Sequence, residues 1–252
     1  MSNLAGQIAL VTGGGRGIGR AIVDRLHAAG ACVASCGRGE RPADLLSEVF
    51  WIQGDVANPS GAKEILRAVY QNVGPVSILV NNAGIQIEKT VVDTSDQDWD
   101  SLIGINCRGV FNMCRAFIPQ VPETGGSIVN LGSVSGEVAD PSMAIYNASK
   151  GFVHALTRSI AVDHGPRIRC NAVRPGWIMT DMAEAGFALA HDPERARADA
   201  IARHPAGRLG APQDVAGAIL WLVSDAAGFV TGQSFTIDGG LTSASPLQPR
   251  LF

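Results

Sequence analysis

Tyrosine and lysine are nearly missing from this chain. Its 252 residues hold two of the first, Tyr70 and Tyr146, and three of the second, Lys63, Lys89 and Lys150. Positive charge is thin as well: 20 Lys and Arg stand against 23 Asp and Glu, for a formal net charge of −3. No broad basic field is therefore available to hold nucleic acid or an anionic membrane surface. No apolar run approaches the ~20 residues needed to cross a bilayer. A basic segment followed by an apolar one is lacking at the amino terminus. The expectation is a soluble, cytoplasmic protein. Cysteine is scarce and odd in number (Cys32, Cys36, Cys107, Cys114 and Cys170), with no Cys-x-x-Cys. That set argues against a disulfide framework and against a metal site, and several of the five sit in apolar runs as small core residues. No stretch reads as an interdomain linker, and no internal repeat is present.

Apolar residues and glycine are abundant, 46% of the chain and 30 residues respectively. Short apolar runs without alternation alternate with longer segments of helical periodicity. Strands are expected at Ile8–Thr12, Cys32–Cys36, Ile78–Asn81, Ser127–Leu131, Ile168–Val173 and Phe235–Ile237. Helices are expected over Gly17–Ala29 and around 97–118 and 143–164. Non-alternating strands suit a parallel sheet covered on both faces, and the βαβ rhythm implies an α/β fold, a doubly wound parallel β-sheet of Rossmann type. One domain, 1–252, accounts for the length. Residues 183–204, rich in Ala, Arg and acids, interrupt the strand rhythm and read as the body of a substrate lid spanning 179–206. Residues 241–252 read as a C-terminal tail, disordered or reaching a neighbouring subunit.

Thr12-Gly13-Gly14-Gly15-Arg16-Gly17-Ile18-Gly19 lies between the first strand and the first helix. Glycines there let the backbone turn sharply and let a pyrophosphate approach free N–H groups at a helix N-terminus. That context points to a dinucleotide, and the missing Gly-Lys-Ser/Thr ending speaks against a nucleoside triphosphate. In NAD-binding units an acid ends the second strand and takes the ribose 2′-hydroxyl. Here the strand closes as Ser35-Cys36-Gly37-Arg38. Arg38, helped by Arg16, could meet a 2′-phosphate with a planar guanidinium, which favours NADP(H) over NAD(H). Glu40, close by, keeps NAD(H) open.

These features resemble the short-chain dehydrogenase/reductase family in its compact single-domain form, over nearly the whole chain. The motifs are Thr12-Gly13-x-x-x-Gly17-x-Gly19, Asp55-Val56, Asn81-Asn82-Ala83-Gly84, Tyr146-x-x-x-Lys150, Pro175-Gly176 with Ile178 and Thr180 beyond, and Gly232 to Gly240. With so few tyrosines and lysines, chance would place one such Tyr–Lys pair only about 2% of the time. The resemblance implies cofactor contacts from Gly13, Arg16, Gly17, Ile18, Gly19, Arg38, Asp55, Val56, Asn82, Ala83, Gly84, Tyr146, Lys150, Pro175, Gly176, Ile178 and Thr180. It also implies a catalytic set of Asn106, Ser133, Tyr146 and Lys150. Tyr146 and Lys150 share a helical face, and an ammonium there, together with the positive charge of an oxidised nicotinamide, is expected to favour the phenolate. Ser133 would hydrogen-bond the reacting oxygen, with Ser135 as its competitor. Asn106 would hold a water beside the lysine. Glu137 and Trp177 are candidate substrate contacts.

The reaction implied is hydride transfer between nicotinamide C4 and a small secondary alcohol or ketone, of sugar, polyol or cyclic alcohol type. A 3-oxoacyl-carrier-protein reductase is the alternative, although the loop Val121–Gly126 carries an acid and no base. A cofactor-sensing regulator without catalysis is the reading from another class. A homotetramer is implied, through 97–118, 143–164 and 212–224. Residues Gly39–Val49, between the second and third strands, are short for the helix the family has there.

Overall fold

The computed structural model describes residues 3–188 and 190–244. Among them, seven strands form one sheet in the order β3-β2-β1-β4-β5-β6-β7, each neighbouring pair parallel. The strands are β1 (Ile8–Thr12), β2 (Cys32–Gly37), β3 (Phe50–Gln53), β4 (Ile78–Asn81), β5 (Gly126–Leu131), β6 (Ile168–Pro175) and β7 (Ser234–Ile237). The helices are α1 (Gly17–Ala28), α2 (Pro59–Asn72), α3 (Asp96–Ile103), α4 (Val110–Phe117), α5 (Ala144–His164), α6 (Asp181–Ala188), α7 (Pro193–Ala202) and α8 (Pro212–Val223). The chain runs outward from β1 to β3, then returns to place β4 on the other side of β1. Loops leaving β1 and β4 therefore diverge at the carboxyl edge of the sheet and open a crevice there.

Each face of the sheet has its own core. Ala9 and Val11 of β1 pack with Ile22 and Leu26 of α1 and Val215 and Ile219 of α8. Leu10, between them in sequence, faces Leu66 of α2, Met113 and Phe117 of α4 and Ile160 of α5. Successive side chains of one strand thus enter opposite cores, which is why the apolar runs do not alternate.

Three local features depart from, or refine, the sequence expectation. The helix expected around 97–118 is broken: α3 and α4 are joined by a π-helical segment, Gly104–Gly109. Its glycines and the buried Asn106 explain the widening. Gly109 passes so close to the loop after β3 that a Cβ would lie 2.8 Å from the Val56 methyl, and the Asn106 side chain is drawn to the Ile85 backbone. Between β2 and β3 no helix forms. Arg41 organises that loop by donating to the Val49 carbonyl at 2.6 Å and to the Leu45 carbonyl at 3.2 Å. Leu45, Val49 and Trp51 close the core there. Of the expected tail, Leu241–Ser243 form a 3-10 turn, and residues from Ser245 onward lie outside the described residues.

Among the described residues no helix is long and apolar enough to cross a membrane. Cys32 is exposed, the other four cysteines are buried, and all five are free thiols.

Candidate functional site

The glycine turn sits at the mouth of the crevice, held from below by two side chains the sequence reading did not single out for this. Ser35 of β2, opposite Val11, accepts from Gly14 N–H at 3.1 Å and donates to the Val11 carbonyl at 2.8 Å. The Thr12 hydroxyl accepts from the N–H groups of Asn82 and Ala83, both at 3.0 Å, joining the ends of β1 and β4. Asn82 answers by donating to the Thr12 carbonyl at 3.0 Å and the Gly13 carbonyl at 3.1 Å. Gly13 has φ 69° and Gly17 φ 54°, both in the left-handed region that favours glycine. Gly19 has no room for a methyl group, since its Cβ would overlap the Gly13 carbonyl and the Asn82 amide.

Arg16 precedes α1 in extended conformation, and no side chain caps the helix. The first N–H groups of α1 are thus left for an anion, with the positive end of the helix dipole behind them. Arg16 and Arg38 are both exposed. Arg38 follows β2, its carbonyl fixed by the Gln53 amide at 2.9 Å. Among the described residues no carboxylate forms an ion pair with it. From the far side, the segment after β6 reaches back over the turn: a methyl on Gly17 would meet the Thr180 methyl at 3.4 Å. Gly176 packs directly on Asp238, and Met179 N–H donates to the Gly210 carbonyl at 2.8 Å. Asp55 uses its carboxylate to accept the Ala57 N–H at 2.9 Å.

Ser133 follows β5 and starts a short 3-10 turn, Val134–Gly136. Its hydroxyl donates to the Ser135 oxygen at 3.1 Å, while the Ser135 hydroxyl donates to Asp140 at 2.7 Å. Ser135 is therefore engaged with a carboxylate. Tyr146, in the first turn of α5, is half-buried beside Ser133. Lys150, one turn on, places Nζ 5.5 Å from the centre of the Tyr146 ring and donates to the Leu131 carbonyl at 2.9 Å. Asn106 is buried behind them. It pairs with the Ile85 backbone in both directions at 2.9 Å and donates to the Ser149 hydroxyl at 3.2 Å.

Without the nicotinamide charge that the sequence expectation also invokes, the phenol is not acidic. Burial pushes the Tyr146 phenol above its ordinary value, the Ser133 hydroxyl works the other way, and Asp140 raises it further. The same burial holds Lys150 down at about 8, with the Cys107 thiol opposing. Desolvation disfavours both charged forms, and it outweighs the attraction between them when no other charge is near.

Lys150 therefore stores free energy. Its folded pKa lies below the unfolded one, so the native state carries the full penalty below pH ~8 and sheds it as pH rises toward the ordinary lysine value. A shift from 10.5 to about 8 corresponds to roughly 3 kcal/mol, less what is lost by leaving the Leu131 carbonyl without a donor. We predict that Lys150→Met raises Tm at pH 7 by roughly 2–6 °C. The gain should shrink as pH rises from about 8 toward 10.5, above which both states are neutral. Calorimetry across that range checks it, and a Tm lowered at pH 7 counts against the stored penalty.

The two candidate substrate contacts are placed differently. Glu137 is ion-paired with Arg174 of β6, whose guanidinium also donates to Thr236 of β7 at 2.7 Å. Trp177 is exposed and packs at 5.6 Å on Phe187 of α6, and Arg197 of α7 lies 5.1 Å over the Phe187 ring. The Glu137–Arg174 pair was not foreseen, although a basic residue inside an apolar strand run is a signal that it has a partner.

The family model described as enoyl-(acyl carrier protein) reductase matches residues 13–242, from the glycine turn to the turn after β7. The chain belongs to the short-chain dehydrogenase/reductase family. It is accordingly an oxidoreductase acting on CH–OH groups. It is 38% identical to the 3-oxoacyl-(acyl-carrier-protein) reductase FabG of Thermotoga maritima, over 94% of this chain and 98% of that one. It is 36% identical to the NADP-dependent (R)-specific alcohol dehydrogenase of Lentilactobacillus kefiri, over 95% and 98%. Among solved structures, the ligand-free aldohexose dehydrogenase of Thermoplasma acidophilum matches with a TM-score of 0.92 at 33% identity, covering 97% of both chains.

Proposed function

We propose that this short-chain dehydrogenase/reductase interconverts a small secondary alcohol and its ketone with NADP(H), using Tyr146 as proton donor and acceptor. The reading rests on one observation above all: Ser133, Tyr146 and Lys150 converge at the carboxyl edge of the sheet, across the crevice from the uncapped start of α1. The glycine cradle fits a pyrophosphate, and Gly13, Gly17, Ile18 and Gly19 would hold it with Arg16. Asp55 and Val56 would flank the adenine. Asn82, Ala83, Gly84, Pro175, Gly176, Ile178 and Thr180 would line the nicotinamide end. Bound there, the nicotinamide supplies or accepts the hydride at C4.

In reduction, Ser133 donates a hydrogen bond to the ketone oxygen while Tyr146 gives it a proton. Lys150, desolvated and close to its own titration point, returns a proton to the phenolate, with Asn106 on the route to solvent. Oxidation reverses these transfers.

NADP(H) is favoured over NAD(H) because Arg38 is exposed and unpaired among the described residues where an NAD-binding unit has an acid, and the Lentilactobacillus relative is NADP-dependent. Glu137 is committed to Arg174, which weakens a sugar or polyol contact. The Trp177–Phe187 pair offers an apolar wall instead, and points within the expected classes to a cyclic alcohol. Residues 179–206, whose helices enclose a small core of Phe187 and Ala200 with Leu209, act as the lid over that substrate.

A second reading is a 3-oxoacyl-carrier-protein reductase. The Thermotoga relative favours it, and so does Arg167, which donates to the Val121 carbonyl and brings a base beside the loop 121–126. Exposed Trp99, Phe111 and Phe152 on α3, α4 and α5 support a homotetramer, and five free thiols fit a reducing, cytoplasmic setting. The deciding measurement is a nicotinamide-absorbance screen with both cofactors against cyclic ketones, sugars, polyols and acetoacetyl thioesters. Cyclic ketones reduced with NADPH are the expected result. Turnover confined to the thioester moves the assignment to the second reading.

A further inference from the structure

Helix α5 stacks Tyr146, Lys150 and His154 on one face at four-residue intervals. The proposed reaction uses the first two and leaves the third without a task. His154 is only 4% exposed, and its Nε2 is buried with no hydrogen-bond partner among the described residues. A nitrogen in that state destabilises the fold, and an aliphatic side chain would avoid the cost.

The ring lies against the backbone of the turn that carries Ser133. A methyl group on Gly132 would stand 2.7 Å from Cδ2 and overlap Nε2, and one on Gly136 would stand 2.5 Å from Cε1. Gly132 and Gly136 bracket Ser133, Val134 and Ser135, so one flat ring touches both ends of the turn. Gly132 is anchored on its other side, donating to the Val173 carbonyl at 2.8 Å. Burial first, then the charges of Lys150 and Arg158, hold the imidazole pKa down at about 4. The facing turn, 132–136, carries no ionisable side chain, and Asp140 is spent on Ser135. The ring is neutral at working pH and is no proton carrier.

We propose that His154 is a positioning residue: its imidazole, wedged between Gly132 and Gly136, sets where the Ser133 hydroxyl stands relative to Tyr146. The inference rests on the roles given above to Ser133 and Tyr146. A five-membered planar ring is what two backbone segments this close admit; a branched aliphatic chain spreads them and shifts the hydroxyl. Misplacement of such a donor by about 1 Å costs on the order of 100-fold in rate.

The test uses the full-length protein with its best ketone. His154→Leu is expected to lower kcat by roughly 10- to 100-fold. Its NADPH dissociation constant, read by fluorescence titration, should stay unchanged, and its Tm should stay within a few degrees of the parent's, since loss of the unpaired nitrogen offsets the strain of the spread turn. His154→Asn, planar and polar, is expected to recover part of the loss. Wild-type kcat in His154→Leu overturns the proposal. So does a loss of rate that merely follows a loss of stability.

A double-mutant cycle covers the case in which the leucine variant does not fold. Gly132→Ala should cost more in kcat when His154 is present than in a His154→Ala background, because the new methyl meets the imidazole first. An equal cost in both backgrounds overturns the wedge. Full activity of Tyr146→Phe would refute the reaction reading itself, and that outcome is separate from every one above.

Discussion

Tyr146→Phe is expected to turn over roughly 10²- to 10⁴-fold more slowly than the parent in either direction, with its affinity for NADPH within a few-fold of the parent's. In the proposed reaction the phenol oxygen exchanges a proton with the substrate, and deleting it leaves the Lys150 contact with Leu131 in place. Stopped reduction with intact cofactor fluorescence is the expected pattern; retained turnover ends the mechanism. The scarcity of tyrosine permits a sharper measurement on the same group. In Tyr70→Phe the only remaining phenol is Tyr146, so tyrosinate absorbance reports that residue alone. In the cofactor-free protein, burial and Asp140 place its ionisation above the ordinary tyrosine value. With NADP+ added, the positive nicotinamide supplies the charge that Lys150, itself held down by burial, does not supply alone. The titration should therefore move to lower pH when the oxidised cofactor binds and stay put with NADPH. A phenol already acidic in the free protein contradicts the burial argument.

How legible all this was depends on whether the physics was local. The glycine turn, the strand runs and the Tyr146–Lys150 spacing are short-range patterns, and each is found where the sequence placed it. The π-helical segment was not legible, because it follows from Asn106 reaching Ile85 across 21 residues and from Gly109 passing Val56. The engagement of Glu137 was hidden for the same reason: Arg174 comes to it from another strand. The acidity of Tyr146 was legible only in part, because it was expected from Lys150 and an oxidised nicotinamide together and burial acts on the cofactor-free site. Sequence spacing reports which charges are neighbours and says nothing of how much water is removed from them. At Tyr146 and Lys150 the removal of water is the larger effect. His154 shows the limit from the other side, since four-residue spacing puts it on the face of Lys150 but gives no hint that a turn 18 residues away closes over it.

Arg38→Asp is expected to shift the ratio of NADP to NAD efficiencies by roughly 10³-fold toward NAD, most of it through loss of NADP binding. A guanidinium facing a 2′-phosphate contributes roughly 1.5–3 kcal/mol through charge-assisted hydrogen bonds. A carboxylate in its place repels the phosphate and accepts a hydrogen bond from the 2′-hydroxyl of NAD instead. The substitution should be clean. Arg38 is exposed, and its backbone is fixed by Gln53 through the carbonyl, which any side chain retains. Compensation by the next arginine along is blocked, because Arg41 is spent on the carbonyls of Leu45, Leu46 and Val49 that shape the helix-free loop. Arg16 at the start of α1 remains, so a residual tolerance of NADP is expected, and Arg16→Ala in the Arg38→Asp background should remove it. Steady-state kinetics with both cofactors check the assignment. A parent enzyme that prefers NAD, with a preference unmoved by aspartate at position 38, would mean that the guanidinium points to solvent and the short loop selects the cofactor by other contacts.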